Sequence, residues 1–264
     1  MDAKCFRKVV GIAIATAILV GVIPLASAQS TDKGKVIPAA VKQTELDVPL
    51  QWMHEAKRNY TAVKDYTCTL ITQENVKGKL QETSYISLKI KTEPFSVYMR
   101  WIGDTKSAGQ EVAFALGKNN NKMRVKSNII KGVLGWHSID VNDKRVMEHS
   151  RHTILEAGIG NMIEQCIAQW EKDRVVGKTK VNVSAASFNN RVCHKVELTR
   201  LERDPAFYCF RTVIYLEKES KLPIRLENYD WPRPGGPVGG ETLEQFSYIN
   251  ILWNTGLKDA EFVK

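Results

Sequence analysis

From Tyr66 onward, apolar and polar residues alternate with a period of two, the mark of strands that bury one face. Ile86, Leu88 and Ile90 alternate with Ser87, Lys89 and Lys91. Past the Thr92-Glu93-Pro94 break, Val97, Met99 and Trp101 alternate with Ser96, Tyr98 and Arg100. Two half-buried antiparallel strands are predicted there. Val112, Phe114 and Leu116 mark another, and the polar turn from Lys118 to Lys122 leads into a strand around Met123 to Val125. Further strands are predicted at Lys180 to Ala186, Arg191 to Thr199, Phe207 to Leu216, Leu222 to Tyr229 and Glu244 to Trp253. The segment Phe207 to Leu216 is apolar or aromatic on both faces, which predicts cover on both sides. Between the last two strands, Trp231-Pro232-Arg233-Pro234-Gly235-Gly236-Pro237 makes a stiff loop that cannot join a ladder.

Two segments follow the helical period instead. Ile159, Met162, Ile163, Cys166, Ile167 and Trp170 form an apolar stripe that must be buried, with Thr153 and Glu156 spaced as a capping box upstream. Leu50, Met53, Ala56 and Tyr60 form a second stripe, with Asp47 placed to cap it and Pro49 tolerated in its first turn. Strand after strand at short intervals, with one helix before and one inserted, predicts a mainly β chain with helices, its sheet strongly curved or rolled into a barrel.

The first 28 residues read differently. Lys4, Arg7 and Lys8 precede an apolar run from Val9 to Leu25, and Ala26-Ser27-Ala28 closes it, which is the layout of a cleavable secretory signal. Gly11, Gly21 and Pro24 weaken the rival reading as a membrane-spanning helix. Gln29 stands where a lipid-anchored protein would need Cys. Residues 29–46 are polar and aperiodic and are expected to form a flexible tether, leaving 47–264 as one domain. The expected compartment is periplasmic or extracellular, with signal peptidase as a partner during export. Loss of three basic and one acidic side chain with the signal lowers the formal charge from +9 to +7. The remaining Lys and Arg are dispersed and read as a solvated surface, with no nucleic-acid partner expected. Of the four cysteines past the signal, Cys193 and Cys209 fall in neighbouring strands of a predicted hairpin and are the candidate disulfide. Cys166 lies on the apolar helix stripe and reads as a small hydrophobe.

Motifs that would carry chemistry fail on their spacing. His54-Glu55-Ala56-Lys57-Arg58 places Arg where a zinc protease needs its second His, and Gly177-Lys178-Thr179 lacks the upstream glycine of a phosphate loop. His149 and His152 have no evident third metal ligand. Cys193 and His194 are adjacent in a strand and point to opposite faces, so they cannot form a catalytic dyad there. No catalytic residue, metal or cofactor is predicted, and the chain is expected not to be an enzyme.

The segments Leu88-Lys89-Ile90-Lys91-Thr92-Glu93-Pro94-Phe95-Ser96-Val97-Tyr98-Met99-Arg100-Trp101 and Leu222-Pro223-Ile224-Arg225-Leu226 resemble the hairpin and closing strands of LolA-like lipoprotein carriers. More closely, Asp65-Tyr66-Thr67-Cys68-Thr69-Leu70, Gly109-Gln110-Glu111-Val112 and Tyr229-Asp230-Trp231-Pro232 are similar to a bacterial family of exported proteins called domain of unknown function 1571. The resemblance implies an incomplete antiparallel barrel, LolA-like, with helices packed on its concave face. It also brings in a lipid or acylated lipoprotein as the expected ligand of a half-barrel cavity. The expected lining is Ile86, Leu88, Ile90, Val97, Met99, Trp101, Val112, Phe114, Ile163, Ile167 and Trp170. Two other readings stay open: an envelope protein partner docking on the Trp231 to Pro237 loop, and an envelope hydrolase.

Overall fold

The computed structural model describes residues 44–127 and 135–264, so the predicted signal and residues 29–43 of the predicted tether lie outside the described residues. The alternation of the sequence becomes register. Ile86, Leu88 and Ile90 of β3 (Ser84–Lys91) stand directly opposite Trp101, Met99 and Val97 of β4 (Ser96–Ile102). Met99 and Val97 in turn stand opposite Val112 and Phe114 of β5 (Glu111–Ala115). Cross-strand partners share a face, so three strands contribute to one apolar surface.

Around this patch the sheet extends both ways from β1 (Asp65–Val76). On one side of it lie β3, β4, β5, β6 (Met123–Lys126) and β7 (His137–Ile139). On the other lie β12 (Thr242–Trp253), β11 (Pro223–Tyr229), β10 (Arg211–Glu217), β9 (Arg191–Arg200) and β8 (Thr179–Phe188). The two-residue β2 (Lys79–Leu80) pairs only with the end of β1. Every pairing is antiparallel, and β7 and β8 do not meet among the described residues, so the curved sheet stays open as an incomplete barrel.

Both predicted helices form. In α1 (Asp47–Tyr60), Leu50, Met53 and Ala56 are buried and Pro49 occupies the first turn. Asp47 is not the cap; it lies inside the first turn, where its carboxylate accepts the Thr44 N–H at 2.8 Å and the Thr44 hydroxyl at 3.1 Å. Leu46, assigned to the tether by its polar surroundings, is buried in the core, and the Glu45 carboxylate accepts the Val181 N–H at 2.8 Å. Residues just ahead of the helical stripe therefore also pack against the sheet and core.

In α2 (Ile159–Val176), Ile159, Met162, Ile163, Cys166 and Trp170 are buried and Ile167 is half-buried. The helix ends where Gly177 takes φ 72° and its N–H donates to the Asp173 carbonyl at 2.9 Å. The expected capping box is absent, because Ile154–Glu156 forms a separate 3-10 turn and the Glu156 carboxylate is drawn to His152. Entry into α2 runs instead through Gly158 at φ 98°, where a side chain would also meet the Tyr66 hydroxyl at 2.9 Å. That hydroxyl accepts the Ile159 N–H at 2.9 Å and ties the first turn of α2 to β1.

Two strand-level expectations need correction. Phe207 to Phe210 is irregular, bent chain, and β10 starts only at Arg211; burial of Phe207 and Cys209 in this bend produced the strand-like pattern. Cys193 and Cys209 are free, as are Cys68 and Cys166, and all four are buried. Cys193 faces Glu217 at one end of the β9–β10 pair, whereas Cys209 lies beside Arg200 and Thr212 at the other. Seven residues of strand separate Cys193 from Arg200, roughly 23 Å at strand rise, far beyond disulfide reach.

A cavity with an apolar wall and a charged end

The concave face of the sheet is wider than two helices cover. Between α2, the strands β1 and β3 to β6, and the segment 140–158 lies a cavity of about 1080 Å³. Of the candidate ligand-site residues, Ile86, Met99, Trp101, Val112 and Trp170 stand around it. Leu88, Ile90, Val97, Phe114 and Ile163 do not; they are sealed in the core at 1 % exposure or less. Gly158, just ahead of α2, comes down on the Ile90 side chain, and the Phe95 ring packs on Phe114 at 6.3 Å. Ile167 packs against the core from the flank of α2 and does not reach the cavity. Leu70, Leu226 and Phe246 belong to the wall and were absent from the sequence-based set.

One end of the cavity is charged, and the register of four strands puts it there. Thr212 of β10 faces Asn228 of β11, Asn228 faces Glu244 of β12, and Glu244 faces Glu74 of β1. All four line the cavity as a single polar row. The Thr212 hydroxyl donates to the Asn228 side-chain Oδ1 at 2.8 Å, and the Asn228 Nδ2 donates to Glu244 at 2.7 Å. The other Glu244 oxygen accepts three bonds: His152 Nε2 at 2.8 Å, the Tyr208 hydroxyl at 3.0 Å and Arg151 Nε at 3.2 Å. Glu74 accepts the Arg151 N–H at 2.6 Å and the Ser150 hydroxyl at 3.3 Å. The segment 140–158 is thereby fastened across the cavity by its own Ser150-Arg151-His152.

These contacts set the protonation states. Burial alone would depress His152, but its hydrogen bonds to Glu244 and Glu156 and the charges of Glu244 and Glu74 overcome it and raise its pKa to about 9. Burial pushes Glu244 upward, yet His152, Asn228 and Tyr208 more than compensate, and its carboxyl lies below the usual range. Glu74 is raised, chiefly by burial. Behind the row, Arg200 donates to Thr212 at 2.7 Å and pairs with Asp173 of α2, both ions wholly buried. Asp173 extends the α2 stripe three residues beyond Trp170, and its partner 27 residues away gives no sign in the pattern.

Other sequence candidates resolve into structure. His149 lines the cavity apart from the His152 network, and among the described residues no group of His, Cys, Asp and Glu is arranged to hold a metal. Trp231 in the Pro-rich loop is engaged within the fold, its ring packed on Phe210 at 5.2 Å with Arg203 over it at 5.3 Å. Among the described residues no helix is long and apolar enough to cross a membrane.

Compared with known proteins, residues 63–264 match a family model described as "Protein of unknown function (DUF1571)". No curated protein sequence matches the chain. Several solved structures are similar to it. Lipoprotein LppX of Mycobacterium tuberculosis is 9% identical, with a TM-score of 0.45, covering 80% of this chain and 97% of its own. An uncharacterized conserved protein of Thermus thermophilus is 9% identical, with a TM-score of 0.45 and coverage of 81% and 92%. A LolA superfamily protein of Nitrosomonas europaea is 10% identical, with a TM-score of 0.36 and coverage of 81% and 96%.

Proposed function

The chain belongs to the family of proteins of unknown function DUF1571, and we infer from its cavity that it is an exported cell-envelope protein that binds an amphiphile. The apolar chain of the ligand lies along Leu70, Ile86, Met99, Trp101 and Val112, and its polar end meets the row of Glu74 and Glu244. The observation that carries this reading is a cavity of about 1080 Å³ whose wall passes from hydrophobic to charged along the same strands. That volume stands at the upper end of ligand pockets, and an apolar wall with a few convergent polar groups is their usual make-up. Export is supported by the basic, apolar and small-residue zones of the first 28 residues.

Hydrolysis fits the charged end less well. With both ring nitrogens of His152 bonded to carboxylates and its pKa near 9, the imidazolium holds two donors and no lone pair for a general base. The Ser150 hydroxyl bonds Glu74 and the His152 carbonyl rather than the imidazole. Docking of a partner on the Pro-rich loop is disfavoured by the internal packing of Trp231.

Titration of the purified chain with oleate, read by Trp fluorescence, tests the proposal. Saturable binding is expected, with Met99→Glu weakening it at least tenfold, since a charge would be placed in the apolar wall. Equal binding by the variant, or none by the parent chain, would overturn it.

A further inference from the structure

Along β1 the cavity wall changes chemistry at every second residue: Leu70, then Thr72, then Glu74. Leu70 faces Tyr248 and Ile86, whereas Glu74 faces Glu244 in the charged row. Thr72 lies between these levels, directly opposite Phe246 on one side and Ser84 on the other. Its hydroxyl oxygen is shielded from solvent and has no hydrogen-bond partner. Among the described residues only Thr105 and Thr179 share that condition, and Thr105 belongs to the same cavity wall. A buried hydroxyl without a partner is an unfavourable arrangement that a bound acceptor relieves. A 120° turn about χ1 carries the Thr72 hydroxyl to the staggered position its methyl group holds.

The geometry points to an acyl ester of glycerol as the ligand, with Thr72 donating a hydrogen bond to an ester carbonyl. This rests on the amphiphile reading above and narrows it. Such a lipid has three levels in a fixed order: a polar head, carbonyl acceptors just below it, then hydrocarbon. Glu74, Thr72 and Leu70 present the matching three levels, each step about 6.7 Å at strand rise. An ester carbonyl accepts but does not donate, so it satisfies the one capacity the hydroxyl leaves unused. Thr105 offers a second such donor from the loop between β4 and β5.

The test compares two lipids that differ only at the predicted acceptor. Dioleoyl phosphatidylethanolamine and its dioleyl ether counterpart compete with a fluorescent fatty acid for the purified chain. The ester is expected to bind about 5-fold more tightly than the ether, the size of one neutral hydrogen bond. In Thr72→Val, which keeps the shape and removes the donor, the ratio should fall toward one while ether binding and thermal stability hold. Thr105→Val reports the share of the second hydroxyl. Equal binding of ester and ether by the parent chain, or an unchanged ratio in both variants, refutes the ester assignment and leaves the amphiphile reading intact. Failure of both lipids to displace the bound fatty acid also refutes the ester assignment, whereas failure of the fatty acid itself to bind removes both readings.

Discussion

Asp173 sits where the α2 stripe calls for another hydrophobe, and its charge is tolerated only because Arg200 meets it in the core. Removing one member of a buried pair strands the other, so Asp173→Ala should cost roughly 3–5 kcal/mol in urea unfolding. A loss under about 1 kcal/mol would mean that Arg200 finds water or another partner. His152 makes a pH-dependent contribution. Its folded pKa, raised to about 9 from 6.5, gives stabilisation that is complete below pH 6.5 and lost as pH climbs through 9. Glu244 runs the opposite way: its lowered pKa gives stabilisation present above about pH 4.5 and lost as pH falls through the folded value. The melting temperature of the parent chain should thus exceed that of His152→Gln at about pH 6 and converge with it by about pH 10. A constant gap across that range would contradict the ion network. The charged row was partly legible in the sequence, since Thr212, Asn228, Glu244 and Glu74 share the strand parity of inward apolar residues. Parity marks each as inward, but only register across four strands makes them neighbours.

At the scale of elements, periodicity located α1, α2 and the β3–β4–β5 patch because each has one face against the core and one against water. It failed where burial came without an element, as in the Phe207 to Phe210 bend, or where a buried residue preceded its helix, as Leu46 does. It also could not separate wall from core. Leu88 and Met99 are direct partners on one face, yet the first is sealed in the core and the second lines the cavity. Beside this face α2 is entered through Gly158, whose φ of 98° and close approach to the Tyr66 hydroxyl leave no room for a side chain. Gly158→Ala should lower stability by roughly 1–3 kcal/mol, and it should alter ligand binding, because the helix must shift off Ile90. Gly135→Ala, also at positive φ but with open space around it, separates backbone strain from this contact.

For the whole molecule, an open sheet of antiparallel strands cannot fill its own concave face. Two helices cover part of it, and the rest remains as the cavity. The charged row, with Arg151 and His152 bonded to it, borders that space and gives it a direction that a simple hydrophobic gap would lack. Under the proposed function this space holds an amphiphile in the cell envelope. Native mass spectrometry of the protein isolated from its own host addresses it most directly. An adduct with the mass of a lipid is expected, released on denaturation and reduced in Met99→Glu. A bare polypeptide mass in the parent protein, with lipid adducts preserved on a known carrier in the same preparation, would contradict it.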